Sequence, residues 1–276
     1  RERGPLVPRP NTDLAAIRFF PPEWYEETGP AGKVDPSDPA SVKRVADANM
    51  QAYYAMIEMI DDNMGRLHST LEREGLSDNT VVVFLSDHGE LGGSHGLLGK
   101  AEPWEESVGI PLIFSGPERF IARKWTTASA PVNTEDLFPT LVGLAGGVAG
   151  GGLSGLDLSS FLRGESAEPE RDGVLLEFVT ETRSNRAYYD ETWRAIRTER
   201  YKYTVIGNRS GARPWQLFDV LDDPYEMKNL LDRADQVELA REMHSRLIRL
   251  LDVTGDDFAL AEAFGLEARN AVAPVA

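Results

Sequence analysis

The sequence contains no cysteine, and this absence removes several kinds of site at once. A disulfide framework, a thiolate metal site and a cysteine nucleophile are all excluded within these 276 residues. Positive charge is also scarce, since 29 Lys and Arg against 45 Asp and Glu give a formal net charge of −16. That balance argues against nucleic acid or an anionic membrane surface as the main partner. No apolar run approaches the ~18 residues that a membrane-spanning helix needs.

Hydrophobic periodicity predicts a long amphipathic helix in the first half of the chain. Apolar residues recur at three- and four-residue steps over residues 45–71, and Gly75 is a good helix terminator. The β-branched apolar run 81–85 follows and predicts a strand buried on both faces, as in a parallel sheet. A second buried strand is predicted over 110–115, and a helix that Thr134 would cap is predicted over 134–144.

The second half of the chain has a different pattern, with a boundary predicted near residue 165. Alternating polar and apolar residues predict three antiparallel strands, at 193–198, 201–206 and 216–220. A helix follows, for which Asp235 and Glu238 have the spacing of a capping box. Its predicted inner face consists of Val237, Ala240, Met243, Leu247 and Leu250.

The strongest chemical signal is the segment 86–90, Ser-Asp-His-Gly-Glu, at the end of the first predicted strand. Ligands of open α/β sheets bind at such strand ends. Asp87 and His88 are adjacent on a sharp turn and can direct one oxygen and one nitrogen at the same ion, while the Glu that follows adds negative potential. His95 and Lys100 come next in a glycine-rich segment, and a cation beside a metal suits a tetrahedral oxyanion. A lone Asp-His pair would be read as a turn, but the whole cluster predicts a site for a sulfate or phosphate ester.

Residues 86–100, with 104–108 and 110–114, resemble the sulfatases of the alkaline phosphatase superfamily. The similarity extends in order over most of residues 45–255, and it includes the segments 56–67, 135–141, 194–203, 217–219 and 223–230. It implies an α/β fold, an alkaline-phosphatase-like mixed sheet sandwiched by helices, with a smaller C-terminal antiparallel sheet and helix. Residues 1–165 would be the C-terminal half of the catalytic α/β domain, and 166–276 the C-terminal subdomain.

The resemblance also implies roles for individual residues. Asp87 and His88 would be metal ligands, most often for calcium in this family, and Lys100 would contact the sulfate oxygens and steady their charge. His95 would lie on the substrate side. Gly109 departs from the family pattern, because a basic residue is expected there, so a substrate contact or an ion pair is lost.

The resemblance further implies a formylglycine nucleophile, made from Cys or Ser in a Cys/Ser-x-Pro-x-Arg motif. The only match is 115–119, which we interpret as a turn that ends a strand. Calcium takes roughly six to eight oxygen ligands, and Asp87 and His88 supply two at most. We therefore hypothesise that these residues are the C-terminal part of a longer sulfatase, inactive alone, with the N-terminal part of the same enzyme and a sulfate ester as partners. A homo-oligomer and the cellular compartment are left open.

Two rival interpretations remain at this stage. One is a phosphonate or phosphate ester hydrolase of the same superfamily, and the other is a non-catalytic binding protein that keeps the fold. Several polar residues are interpreted as structural rather than chemical. The Asp-Asp pairs at 61–62, 222–223 and 256–257 read as solvated surface charge, and His68 and His244 read as surface or interface histidines. Aromatic residues that could line a sugar or aryl site, although packing is the commoner role, are Phe19, Phe20, Trp24, Tyr25, Trp104, Tyr188, Tyr189 and Trp193.

Overall fold

The computed structural model describes residues 35, 38–97, 99–179, 192–208 and 211–270. Six of the candidate aromatic residues lie outside this range, namely Phe19, Phe20, Trp24, Tyr25, Tyr188 and Tyr189. The chain divides into two compact units, residues 1–117 and 118–276. These units are defined by their compactness and not by the domain limits of the family. The division between residues 165 and 166 therefore stays a prediction.

The first unit begins with the long helix that the periodicity predicts, α1 (Pro39–Arg73). The Asp38 side chain caps its start by accepting a hydrogen bond from the Ala40 amide at 3.0 Å. The helix ends just before Gly75, whose positive φ of 67° suits a glycine. Several apolar side chains of α1 are exposed, including Tyr53, Ile57, Ile60 and Leu67. Among the described residues, no helix is both long and apolar enough to cross a lipid bilayer.

Two strands follow α1 and pair with each other. β1 (Val82–Leu85) is separated by the short helix α2 (Glu105–Val108) from β2 (Leu112–Ser115). The two strands are antiparallel, with Phe84 opposite Ile113. The expectation of a parallel neighbour is wrong for this pair, because an apolar run does not encode strand direction. The expected burial of the two strands is also wrong, since Leu85 of β1 is 38% exposed and Ile113 of β2 is 54% exposed.

The second unit contains α3 (Leu137–Leu144) and α4 (Ser159–Leu162). A 3-10 turn leads into α3, and Asn133 rather than Thr134 caps it, in a capping box with Asp136. Asp136 also accepts hydrogen bonds from the Leu156 amide at 2.7 Å and from Arg171 Nη1 at 2.6 Å. The buried Asp136 carboxylate therefore fixes the start of α3 to two later segments of the chain.

A four-stranded antiparallel sheet forms the core of the second unit. Its order is β3 (Val174–Phe178), β4 (Thr192–Arg197), β5 (Tyr201–Asn208) and β6 (Gly211–Asp219). Helix α5 (Val237–Thr254) supplies apolar side chains to the same core. The three predicted strands and the predicted helix are confirmed, whereas β3 was not predicted. Core residues contributed by β4, β5, β6 and α5 are Ile196, Tyr203, Val205, Leu217, Ala240, Met243, Leu247 and Leu251.

Two details of α5 differ from the prediction. Residue 251, not 250, is the buried leucine in its last turns, and Val237 is half exposed. The expected cap at Asp235 is absent, because Gln236 occupies the N-cap position and Asp235 instead pairs with Arg233 at 2.7 Å. A nearby arginine thus competes with the backbone amides for the carboxylate.

Two polar residues of the second unit are more buried than the sequence indicates. His244 has no exposed surface, so its interpretation as a surface or interface residue is wrong, and its Nδ1 lies 2.8 Å from the Tyr203 hydroxyl. Asp256 was expected on the surface, yet it pairs with the buried Arg194 guanidinium. Both residues face partners that are 41 to 62 positions away, which a local pattern does not reveal.

The burial of His244 makes stability depend on pH. Burial lowers the pKa of His244, so the folded state holds the ring neutral, while the unfolded chain takes up a proton below about pH 6.5. The stability that comes from this group is therefore present above the unfolded value and is lost as the pH falls below it. We expect the free energy of unfolding to drop between pH 7.5 and 5.5, by at most about 1.4 kcal/mol per pH unit.

Urea denaturation of wild-type protein and a His244→Asn variant at both pH values tests this expectation. The variant should be less stable at pH 7.5 but should lose less stability on acidification. His68→Asn on the exposed face of α1 is the matched control and should keep the wild-type slope. An unchanged slope in His244→Asn would contradict the assignment.

Candidate functional site

The turn after β1 is held by a compact set of hydrogen bonds. Ser86 Oγ donates to the His88 carbonyl at 2.7 Å, and Asp87 Oδ1 accepts from the His88 amide at 2.9 Å. The Gly89 amide donates to the Ser107 carbonyl in α2 at 2.8 Å. A Cβ atom on Gly89 would lie 2.0 Å from the Glu106 carbonyl oxygen, so only glycine permits this close approach. The turn is thereby fixed against the start of the following helix.

The hydrogen bond of the His88 ring determines which nitrogen carries a lone pair. Nδ1 lies 2.8 Å from the Gly89 carbonyl oxygen, which can only accept, so Nδ1 bears the proton. In the neutral ring, Nε2 then presents a lone pair, and it lies 3.5 Å from Asp87 Oδ2. Two ligand atoms about 2.4 Å from one cation and at right angles to each other are about 3.4 Å apart. The pair is therefore spaced as two neighbouring ligands of one metal ion are.

The charge of the pair also suits a cation. The Asp87 side chain is 83% exposed, and the hydrogen bond from the His88 amide is the main cause that lowers the pKa of its carboxyl group. Asp87 therefore carries a negative charge at neutral pH. Within the described ranges, no group of three or more His, Asp or Glu side chains comes together around a metal position. The turn accordingly presents a charged carboxylate and a ring nitrogen, and the carboxylate is accessible.

His95 and Lys100 lie on the loop that follows this turn. The His95 ring stacks on Trp104, with ring centroids 3.7 Å apart and planes inclined by 12°. His95 also has a positive φ of 54°, which is uncommon for a residue with a side chain. Lys100 is exposed at the end of the loop. The structure thus brings Asp87 into contact with His88, and it gives His95 a separate contact with Trp104.

Two features of the site escaped sequence reasoning. Trp104 was expected to pack or to line a pocket, and its contact with His95 has no local signature because the two are nine positions apart. Glu90 was interpreted as a source of negative potential, whereas its side chain bonds backbone amides of the loop. The close spacing of Glu90 and several glycines is the one signal that could have indicated this contact.

The remaining candidate positions have simple structural explanations. Ser115, in the one match to the Ser-x-Pro-x-Arg pattern, is the exposed last residue of β2. This agrees with its interpretation as the end of a strand. At Gly109, a Cβ atom would lie 2.7 Å from the Glu105 carbonyl oxygen. A basic side chain at residue 109 would therefore require the backbone to shift.

Two family profiles match the chain. The profile described as Sulfatase matches residues 15–148, and the one described as N-sulphoglucosamine sulphohydrolase, C-terminal, matches residues 93–252. An ulvan-active sulfatase from Formosa agariphila is 33% identical over 211 residues, which are 76% of this chain and 40% of that protein. The chain spans between 32% and 42% of the length of such curated relatives.

Solved structures of this superfamily are also similar to the chain. One, in complex with its substrate D-glucosamine-2-N,6-O-disulfate, has a TM-score of 0.70 and 26% identity, over 80% of this chain and 43% of that one. A phosphonate monoester hydrolase of Agrobacterium radiobacter has a TM-score of 0.67 and 28% identity, over 87% of this chain and 48% of that one. The fold is that of the alkaline-phosphatase-like sulfatases, as the sequence resemblance implied. The chain belongs to the sulfatase family.

Proposed function

We propose that the protein hydrolyses sulfate esters with the turn after β1 as its metal-binding element. The observation that carries this proposal is the juxtaposition of His88 Nε2 and Asp87 Oδ2, 3.5 Å apart, at a strand end in a sulfatase-like fold. The relatives support the substrate class, because one is named as active on ulvan and another was solved with a sulfated glucosamine. A sulfated saccharide is accordingly the substrate that we propose.

Asp87 and His88 are proposed to hold one divalent metal, with calcium as the first candidate. A charged carboxylate oxygen suits calcium, whereas the imidazole nitrogen also suits zinc. When bound, the cation would polarise the sulfate group and draw charge away from its oxygens. The protein's own part is to keep Asp87 ionised and the His88 lone pair aimed at the same position.

Lys100 and His95 are proposed as the catalytic residues on the substrate side of the metal. The Lys100 ammonium group would bind sulfate oxygens and stabilise the negative charge that grows in the transition state. The His95 ring, held flat against Trp104 at 3.7 Å, would donate to or accept from the ester through an edge nitrogen. Stacking restricts the ring plane, so the direction of that hydrogen bond is set before the substrate binds.

The remaining ligands and the formylglycine are proposed to come from a sulfatase segment outside residues 1–276, the N-terminal part of the same enzyme. Three observations support this partner. The chain spans 40% of the relative from Formosa agariphila. Calcium needs roughly six to eight ligands, of which this turn offers two. The exposed apolar side chains of α1, such as Ile57 and Ile60, would be covered by further chain. The division into residues 1–165 and 166–276 belongs to the same proposal.

A phosphonate or phosphate ester is the second candidate substrate, because the Agrobacterium radiobacter hydrolase has a similar fold. The natively produced protein that carries this chain should be assayed with 4-nitrophenyl sulfate and with a 4-nitrophenyl phosphonate monoester. We expect a higher kcat/KM for the sulfate ester. A higher kcat/KM for the phosphonate would instead support a phosphonate or phosphate ester as the substrate. Turnover of neither ester would favour the non-catalytic interpretation.

Replacement of Lys100 tests the electrostatic role directly. In a Lys100→Ala variant, kcat for the sulfate ester should fall by roughly a hundredfold or more, because a charge aimed at the developing oxyanion is lost. Metal affinity should stay at the wild-type value, since Lys100 is not a proposed ligand. Lys43→Ala, which removes an exposed lysine of α1, is the control and should be fully active. Full activity in Lys100→Ala would refute the role.

A further inference from the structure

The loop that carries His95 is closed at its neck by three hydrogen bonds. The Leu91 amide donates to the Gly99 carbonyl at 2.8 Å. Glu90 Oε1 accepts from the Gly99 amide at 2.7 Å and from the Gly92 amide at 3.2 Å. One side-chain oxygen therefore joins both ends of the loop, and two of the three bonds depend on Glu90.

The interior of the loop depends on this closure. The Gly93 amide donates to the Leu97 carbonyl at 2.8 Å, and the Ser94 amide donates to the Leu91 carbonyl at 2.9 Å. These bonds hold His95 at its positive φ of 54°, a conformation that costs free energy unless its surroundings impose it. The stacked Trp104 ring fixes the His95 side chain from outside the loop.

Lys100 directly follows the residue that Glu90 holds. Because the Gly99 amide is bound to the carboxylate, the backbone that leads into Lys100 starts from a fixed point. A hydrogen bond to a charged acceptor is stronger than one between neutral groups. Glu90 thus influences His95 and Lys100 through the backbone of the loop, because its side chain bonds the Gly92 and Gly99 amides.

We infer that Glu90 is a positioning residue, which closes the loop of residues 91–99 and thereby sets where His95 and Lys100 meet the substrate. The inference rests on the proposed function for its catalytic consequence, but the structural role stands on the hydrogen bonds of Glu90. This positioning role differs from a purely electrostatic role, in which any negative charge at residue 90 would serve equally well.

Two conservative substitutions separate the roles of geometry and charge. Glu90→Gln keeps the length and a carbonyl oxygen at the Oε1 position but removes the charge. Glu90→Asp keeps the charge but is one methylene shorter and falls short of the Gly99 amide. Glu72→Ala, at an exposed residue of α1, removes a charge without touching the loop and is the control. Melting temperatures of all variants are measured to confirm that each is folded.

The first readout is amide hydrogen exchange at Gly92 and Gly99, which needs no catalytic activity. In Glu90→Asp we expect exchange at the Gly99 amide to accelerate by about tenfold or more, the factor that corresponds to a lost charged hydrogen bond, whereas the Gly92 amide, two residues on, stays within reach of an aspartate. In the control, exchange should stay at the wild-type rate, and in Glu90→Gln it should accelerate clearly less than in Glu90→Asp, since a neutral hydrogen bond is weaker than a charged one but is retained. Unchanged exchange at Gly99 in Glu90→Asp would overturn the inference, whatever the activity.

The second readout is turnover of 4-nitrophenyl sulfate. We expect kcat to fall by roughly ten- to a hundredfold in Glu90→Asp, with calcium affinity unchanged, because misplaced catalytic groups lose rate. Glu90→Gln should remain close to wild type. Low activity in Glu90→Gln with high activity in Glu90→Asp would overturn the positioning role in favour of charge. If wild-type protein has no sulfatase activity, the proposed function fails, while faster exchange in Glu90→Asp still supports the loop assignment.

Discussion

An Asp87→Ala variant is expected to lose divalent-metal binding and sulfate-ester turnover together. Asp87 is the charged member of the proposed ligand pair, and its Oδ2 lies 3.5 Å from His88 Nε2. Removing a residue that merely orients a ligand already weakens metal binding by about 10- to 100-fold, so loss of the ligand itself should cost at least about 100-fold. Calorimetric titration with calcium, beside an activity assay, measures both effects.

Asp87→Asn distinguishes the ligand from the turn that carries it. Asparagine keeps an oxygen that can accept from the His88 amide, as Asp87 Oδ1 does at 2.9 Å, but it lacks the charge. The turn should therefore survive while metal affinity still falls. Asp78→Ala, at an exposed residue just before β1, is the control and should bind metal normally. Wild-type metal affinity in both Asp87 variants would remove Asp87 from the site.

A Lys202→Met variant is expected to lose about 3–5 kcal/mol of stability, because it leaves the Glu226 carboxylate buried without its cation. Lys202 Nζ and Glu226 Oε1 are 2.5 Å apart, and neither side chain has any exposed surface. The pair joins β5 to the turn after β6, where Glu226 has a positive φ of 53°. Denaturant unfolding at neutral pH measures the loss.

Two further variants show whether the loss arises from an unpaired charge. In the double variant Lys202→Met, Glu226→Met, most of the stability should return, since apolar replacement of a buried ion pair is often close to neutral. Lys124→Met removes the lysine of an exposed pair whose charged atoms are 3.9 Å apart, and it should cost less than about 1 kcal/mol. A double variant as unstable as Lys202→Met would contradict this account.

The elements that the sequence predicted well are those with local causes. The step pattern of α1, the existence of β4 and β5 and the terminating Gly75 depend on neighbours in the chain, and each is confirmed. The expected alternation of faces is wrong for β4 and β5, because successive residues of both strands are buried. The errors concern contacts between distant residues. His244 was interpreted as a surface or interface residue of a helix, but Tyr203 lies 41 residues away and supplies a buried partner.

In the candidate site, too, contacts between neighbouring residues could be predicted, whereas contacts between more distant residues could not. Adjacent residues at a strand end sufficed to predict that the Asp87 and His88 side chains lie close together, and their atoms are 3.5 Å apart; their role as metal ligands stays a prediction. The stacking of His95 on Trp104 depends on the path of the intervening loop and on packing, which residue spacing does not encode. Lys202 and Glu226 belong to two segments that carry the family resemblance, and their direct contact gives those segments a physical role.

The most direct test of the account is the release of inorganic sulfate from a sulfated saccharide by the natively produced protein, before and after treatment with a calcium chelator. The account predicts that sulfate is released, that the chelator stops the release and that added calcium restores it. Two results would contradict a metal-dependent sulfatase site at Asp87 and His88. One is sulfate release that continues in the chelator at the original rate. The other is an Asp87→Asn variant that, after calcium is added back, releases sulfate as fast as wild type.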